Sequence, residues 1–424
     1  MTQSTGAANV PNPVPRISAF EQMAFGMFVH WGLYSQLGRG EWVQHMEKIP
    51  SAEYLELMKT FTAKDFDAEQ LVRTAKRAGM NYVTLTTRHH EGFSLFDTRG
   101  LSTLDVMNTP CQRDLVREFV EACRHAQVMP MLYHTTLDWN EPKFHSDFDA
   151  YLEYLRQSVE LLSTNYGPIG GFWFDGNWSK KDADWKESEL YATIRRHQPN
   201  ALIINNTGIE EHGKTGHPEI DSVTFERGRP EPMDRRGASK YVASEMCHTF
   251  NGHWGVATTD FNMLSPAHVI LELCMARGAG ANLLMNVGPE AHGAVPKYEA
   301  MALERVGEWL ELHGGRDGVI YHGRPGAVTG EHGDFALEHE GDLYLFITDL
   351  TRIADSMVYG KPTRGTQPRQ FNGVQQAYKE VRWMDNQQSL DFSQKDDVLT
   401  IIPTAFPYGT NTVVRIARCA KAIT

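Results

Sequence analysis

Two patterns of apolar and polar positions divide this chain. From about residue 25 to 310, short and nearly continuous apolar runs alternate with longer stretches in which apolar positions recur every three or four residues. The runs are "FGMFVHWG" (25–32), "YVTLTTRHH" (82–90), "VMPMLYHTT" (128–136), "GGFWFDG" (170–176), "ALIINN" (201–206), "SVTFER" (222–227), "YVASEM" (241–246) and "ANLLMNVG" (281–288). Runs of this kind predict parallel strands buried on both faces, and the stretches between them predict amphipathic helices. Some helix ends are legible. "DAEQLVRTAKRAG" puts Leu71, Val72, Ala75 and Ala78 on one stripe and stops at Gly79. "SPAHVILELCMARG" opens with Ser265 as N-cap and Pro266 in the first turn, and closes at Gly278. The alternation predicts an α/β fold, a closed (β/α)8, TIM-like barrel over residues 1–315. No G-x-G-x-x-G follows the first strand, which weighs against an open dinucleotide-binding sheet.

After about residue 316 the helical stripe disappears. "GVIYHG", "DFALEHEGDLYLFITDL", "KEVRWM", "VLTIIP" and "NTVVRIA" are short alternating runs separated by Gly, Asp and Asn. They predict a C-terminal antiparallel β-sandwich over residues 316–424. Trp383 reads as an exposed aromatic there, suited to a contact between copies, so a homo-oligomer is one expectation.

Composition narrows the function classes. The 424 residues are 41% hydrophobic and 22% charged, ordinary for a soluble globular protein. A formal net charge of −12 argues against nucleic acid or an anionic membrane as partner. Cys111, Cys123, Cys247, Cys274 and Cys419 form no C-x-x-C pair, so neither a disulfide framework nor a thiolate zinc site is expected. "MTQSTGAANVPNPVPRISAF" shows no basic region followed by an apolar one, and no apolar run reaches about 18 residues. A cytoplasmic location is the expectation.

The candidate chemistry collects where a barrel places its active site, at the C-terminal ends of the strands. His30 and Trp31 end the first run, His89 and His90 the second, and Tyr133 and His134 lie near the end of the third. Trp173 and Asp175 close the fourth, Glu226 and Arg227 the sixth, with Glu245 on the seventh and Asn286 on the eighth. Glu41 and Trp42 follow the first strand. Aromatic rings for C–H faces and polar side chains for hydroxyls suit a sugar. Cleaving a glycosidic bond takes two carboxyl groups, one on either side of it. Asp175, short and held at the tip of the most apolar strand, is the candidate nucleophile. Glu226 is the candidate proton donor, with Glu245 as its competitor. A metal is not expected: strand 1 offers no H-x-H, and adjacent His89 and His90 on a strand would point to opposite faces. No cofactor is implied.

"FGMFVHWGLYSQLGRGEWV", "RHHEGFSLFDT", "LYHTTLDW", "GFWFDGNW" and "GANLLMNVGPEAHG" resemble, in order and approximate spacing, the motifs of the α-L-fucosidases of glycoside hydrolase family 29. The resemblance runs along most of residues 24–312. It implies a (β/α)8 barrel followed by a β-sandwich, and a retaining exo-α-L-fucosidase acting on a small molecule or glycan that bears α-L-fucose. It implies Asp175 as nucleophile and His30, Glu41, Trp42, His89, His90 and Trp173 as fucose contacts, with Trp254 beside the sugar methyl group. In the third-strand motif Tyr133 is present, and His134 stands where the family commonly has a second Tyr. Two departures are visible. Asn205, Asn206 and Thr207 replace the family's N-D-R, which leaves Arg227 as a candidate for the missing arginine, and Ser244–Glu245 replaces its W-E. Glu226 matches the acid/base best, with Glu245 in reserve. A barrel hydrolase for another sugar, or a sugar-binding protein without activity, remains an alternative.

Overall fold

The computed structural model describes residues 9–207, 215–349, 367–403 and 414–422. Eight parallel strands close into a barrel: β1 (Phe25–Val29), β2 (Tyr82–Arg88), β3 (Met129–Thr135), β4 (Gly171–Asp175), β5 (Leu202–Asn205), β6 (Ser222–Glu226), β7 (Ala243–His248) and β8 (Asn282–Val287). They pair in sequence order, and β8 returns to β1. Helices Ala68–Arg77, Leu115–Ala126, Phe148–Asn165, Glu187–His197, Pro266–Gly278 and Lys297–Leu312 follow β1, β2, β3, β4, β7 and β8. Among the described residues no helix follows β5 or β6. Asp67 and Ser265 cap their helices, accepting from the Gln70 and His268 amides. The second helix runs through Gly278 and ends at Ala279.

Strand alternation decides what faces the barrel axis. On β4, Trp173 and Asp175 point inward, while Phe172 and Phe174 pack under the helices, in the outer core. Inside, Phe28, Tyr82, Met131, Tyr133, Trp173, Leu202, Ile204, Ala243, Cys247 and Leu284 fill the barrel. Ile17 and Phe20, on the helix Pro15–Met23 ahead of β1, join this interior cluster. Gly26 is required by Tyr82, since a Cβ there would lie 2.3 Å from the phenol ring. That ring crosses the interior and donates its hydroxyl to Glu245 Oε2 at 2.5 Å.

The C-terminal part is one antiparallel sheet of eight strands: β9 (Arg324–Gly330), β10 (Phe335–His339), β11 (Asp342–Ile347), β12 (Arg369–Asn372), β13 (Tyr378–Trp383), β14 (Phe392–Lys395), β15 (Val398–Ile401) and β16 (Arg415–Lys421). Its order, β13-β16-β11-β10-β9-β12-β15-β14, lets the sheet fold over on itself. Leu345, Val381, Trp383 and Ala417 from one half meet Phe371, Leu399 and Ile401 from the other in a single core. The opposite face carries Tyr344, Phe346 and Ile416 into the barrel's outer core. Residues 411–413, at the start of the "NTVVRIA" run, and Leu350, at the end of "DFALEHEGDLYLFITDL", lie outside the described residues. Trp383 corrects an expectation. It is fully buried, with the Arg415 guanidinium 4.0 Å from its ring centre, and offers no surface to a second copy. Among the described residues no helix is long and apolar enough to cross a membrane.

Candidate active site

A cavity of about 410 Å³, its mouth included, opens at the C-terminal end of the barrel. Phe28, His30, Trp42, His89, His90, Tyr133, Trp173, Asp175, Trp178, Asn206, Glu226 and Trp254 line it. A larger cleft at the other end of the barrel, lined among others by Gln22, Asn81, Gln127 and Arg316, has no carboxylate in its wall. Of these two, the one at the C-terminal end brings two acids together.

Asp175 is the last residue of β4, and the chain turns away at once through Gly176, whose φ of 122° and packing against Leu137 exclude a side chain. Four donors surround the carboxylate. Trp178 Nε1 reaches Oδ1 at 2.9 Å and Tyr133 Oη reaches Oδ2 at 3.1 Å. His90 Nε2 stands 3.4 Å from Oδ2, and Asn206 Nδ2 3.4 Å from Oδ1. Burial alone would raise this carboxyl; hydrogen bonds from His90, Trp178 and Tyr133, with the His90 charge, outweigh it and hold it below the ordinary range.

Glu226 ends β6 and faces the same cavity. Burial, then the Asp175 charge, push it up to about 7, against the Asn206 hydrogen bond and the Arg227 charge, which act the other way. Asn206 Nδ2 donates to Glu226 Oε2 at 2.7 Å, and its Oδ1 accepts from Thr224 Oγ1 at 2.8 Å. The ionised Asp175, which can only accept, fixes the amide with its nitrogen toward the acids, and the Thr224 hydroxyl meets the oxygen on the other side. Two carboxylates in one pocket, one held ionised and the other held protonated near neutrality, are equipped for opposite proton tasks.

The imidazoles and indoles form the rest of the wall. His30 Nδ1 pairs with Asn286 Oδ1 at 2.7 Å, and burial brings its pKa down to about 3. Neutral, with Nδ1 donating to the amide oxygen, it leaves Nε2 as an acceptor. Burial lowers His89 as well, and among the described residues its buried Nδ1 has no hydrogen-bond partner. Trp42 stacks on Trp178 at 5.8 Å, and Tyr133 on Trp173 at 5.7 Å.

Several expectations are corrected. His89 and His90 lie just beyond β2, in irregular backbone, so strict alternation does not apply and both rings reach the cavity, 4.2 Å apart. His134 does not reach it. Next to inward Tyr133, it points outward, pairing with Thr135 O at 2.6 Å and Ser158 Oγ at 2.8 Å on the helix Phe148–Asn165. Burial and the Arg88 charge bring its pKa down to about 3, so it does not titrate near neutrality. Glu245 is the third residue of β7, not its end, and sits below the cavity floor. It accepts from Tyr82 and, at 2.9 Å, from Trp173 Nε1, which leaves it out of reach of a glycosidic oxygen. Glu41 is not in the cavity wall either; its Oε2 accepts from the Trp254 and Gly255 amides at 2.9 and 2.8 Å and so places the Trp254 loop. Arg227 lies over the Trp254 ring, 5.3 Å from its centre, outside the lining.

Phe28 and Trp178 were not singled out from sequence, and Asn206 was named there only as a departure from the family's motif. Trp178 has a signal, since it closes the same "GFWFDGNW" motif as Asp175 and lies one 3-10 turn beyond it. Asn206 has one in hindsight, as a polar residue just past the end of β5.

Comparison with known proteins gives the family. The sequence profile described as Alpha-L-fucosidase matches residues 5–315. The chain is 28% identical over 330 residues to a putative alpha-L-fucosidase of Caenorhabditis elegans, covering 71% of this chain and 66% of that one, just under two thirds of its length. It is 28% identical over 351 residues to the tissue alpha-L-fucosidase of Rattus norvegicus, covering 75% of this chain and 72% of that protein. Among solved structures, alpha-L-fucosidase isoenzyme 1 of Paenibacillus thiaminolyticus superposes with a TM-score of 0.81 at 29% identity, covering 96% of this chain and 99% of that one.

Proposed function

This chain belongs to the alpha-L-fucosidase family, and from that premise we propose that it is a retaining exo-α-L-fucosidase working through a covalent fucosyl-enzyme. Asp175 attacks the anomeric carbon while Glu226 gives its proton to the leaving oxygen. In the second step Glu226, now ionised, takes a proton from water, which displaces Asp175 from the sugar. Two inversions at one carbon leave the product with the configuration of the substrate.

The contact of Asn206 with both carboxylates carries this reading. Oxygens that share one amide nitrogen at 3.4 and 2.7 Å lie closer together than the roughly 6.5–9.5 Å between the carboxyls of an inverting pair, which supports the retaining arrangement. The protonation states support the same division of labour. An ionised Asp175 is a nucleophile, and a Glu226 held up to about 7 keeps a proton to give. A small cavity entered from one end suits a terminal sugar. The His30 and His89 imidazoles in the cavity wall are partners for its hydroxyls, and the Trp173 and Trp254 rings are partners for its apolar faces.

The experiment is a side-by-side assay of 4-nitrophenyl α-L-fucoside and the matching galactosides, with the first product followed by NMR. The reading expects turnover of the fucoside well above the galactosides, and α-L-fucose before mutarotation. Faster turnover of a galactoside would assign the site to another sugar. A first-formed β-anomer would exclude the double displacement.

A further inference from the structure

The leaving oxygen has to meet Glu226, so the next ring of a glycan substrate lies beyond Glu226 at the rim of the cavity. The residue there is Arg227. Its φ of 52° is in the left-handed region that a long side chain rarely adopts. Its amide is tied to Cys247 O at 2.9 Å, and its exposed guanidinium lies 5.3 Å from the centre of the Trp254 ring, donating from Nη2 to Gly252 O at 2.9 Å. The side chain is therefore anchored at the mouth, between the proton donor and the indole wall.

Its neighbours in sequence are engaged differently. The segment "RGRPEPMDRR" (227–236) holds four arginines. Arg229 pairs with Glu272 at 2.8 Å, Arg236 with Asp234 at 2.6 Å, and Arg235 stands 3.9 Å from Glu21. Among the described residues Arg227 forms no ion pair within 4 Å, and the carboxyl its charge acts on is Glu226. A guanidinium carries five N–H groups in a planar fork, and one of them is used on Gly252. Among the described residues the others have no hydrogen-bond partner, and they can meet oxygens of a ligand.

We propose that Arg227 is the binding residue for the first sugar of the leaving group, recognising hydroxyl or carboxylate oxygens next to the glycosidic bond. The substrates it selects are fucosylated oligosaccharides, in which such oxygens are present, over fucosides of small aryl alcohols, which lack them. This inference rests on the fucosidase reading above and deepens it.

The test compares the parent with Arg227→Ala and Arg227→Lys on 4-nitrophenyl α-L-fucoside and on a panel of α-L-fucosylated lactose derivatives of different linkage. Inhibition by free L-fucose serves as the check that the inner cavity is intact. In Arg227→Ala the ratio of kcat/KM, oligosaccharide over aryl fucoside, falls about tenfold or more, chiefly through KM for the oligosaccharide. Arg227→Lys recovers part of it, having the charge without the fork. An equal loss on both substrates would reduce Arg227 to a support for Trp254 and overturn the proposal, as would no loss on either. Parent enzyme that cleaves the aryl fucoside but none of the oligosaccharides also overturns it. Parent enzyme inactive on every α-L-fucoside contradicts the fucosidase reading itself.

Discussion

Asn206 Nδ2 stands 2.7 Å from Glu226 Oε2 and 3.4 Å from Asp175 Oδ1, so a single amide touches both acids of the site. The contact is closer on the Glu226 side, where it favours the ionised form and offsets part of the rise caused by burial and by Asp175. Asn206→Ala removes that offset. The alkaline limb of the kcat/KM profile then moves to higher pH, and kcat/KM itself falls about 10–100-fold as the two carboxylates lose their shared donor. A pH profile of the variant checks both.

The pH dependence of the parent follows from the two shifts. The productive form has Asp175 ionised and Glu226 protonated. Raising the pH through about 7 strips the proton from Glu226, so activity falls on the alkaline side. On the acid side it holds until Asp175 protonates, below the ordinary carboxylate range. Glu226→Gln removes the alkaline limb, whereas Glu245→Gln leaves it in place. Initial rates from about pH 3 to 9 on an aryl fucoside decide which glutamate donates the proton.

Asp175→Asn preserves the shape of the site and lowers turnover by about 10⁴-fold or more, since the intermediate can no longer form. Circular dichroism and thermal melting show the fold unchanged. Asp175→Gly opens space for a small anion, and azide restores turnover by attacking the anomeric carbon directly, giving the inverted β-L-fucosyl azide. NMR identifies that product.

Removing the His134 ring tests its outward position. His134→Ala loses the Ser158 bond between β3 and its covering helix and destabilises the protein by about 1–3 kcal/mol, while KM for an aryl fucoside stays within about twofold. Denaturant unfolding and steady-state kinetics on the same preparation separate the two effects.

Most of the barrel was legible because its strands are buried on both faces and read as unbroken apolar runs. Asp175 stood out for the same reason: a lone carboxylate at the end of "GFWF" has no place in a helix-covered strand unless the strand points it into the mouth. What the chain hid was parity and depth. Register along β3 sends Tyr133 inward and His134 outward, and a strand-end reading could not separate neighbours. Glu245 was misplaced because the seventh strand runs two residues further than its apolar run suggests, to His248, which sinks the glutamate below the cavity. His89 and His90 went the other way, since the strand ends before them. Trp383 looked like surface because its alternating run is short, yet the fold of the sheet buries both its halves. Asn206 was the least legible: its role depends on acids from the two strands on either side of it, Asp175 on β4 and Glu226 on β6.

The identity of the nucleophile is tested most directly by covalent labelling. After incubation with 2-deoxy-2-fluoro-α-L-fucosyl fluoride, proteolysis and tandem mass spectrometry should find the fluorofucosyl group on Asp175, in the peptide that contains "GFWFDGNW". Inactivation with the label on any other residue would contradict the account.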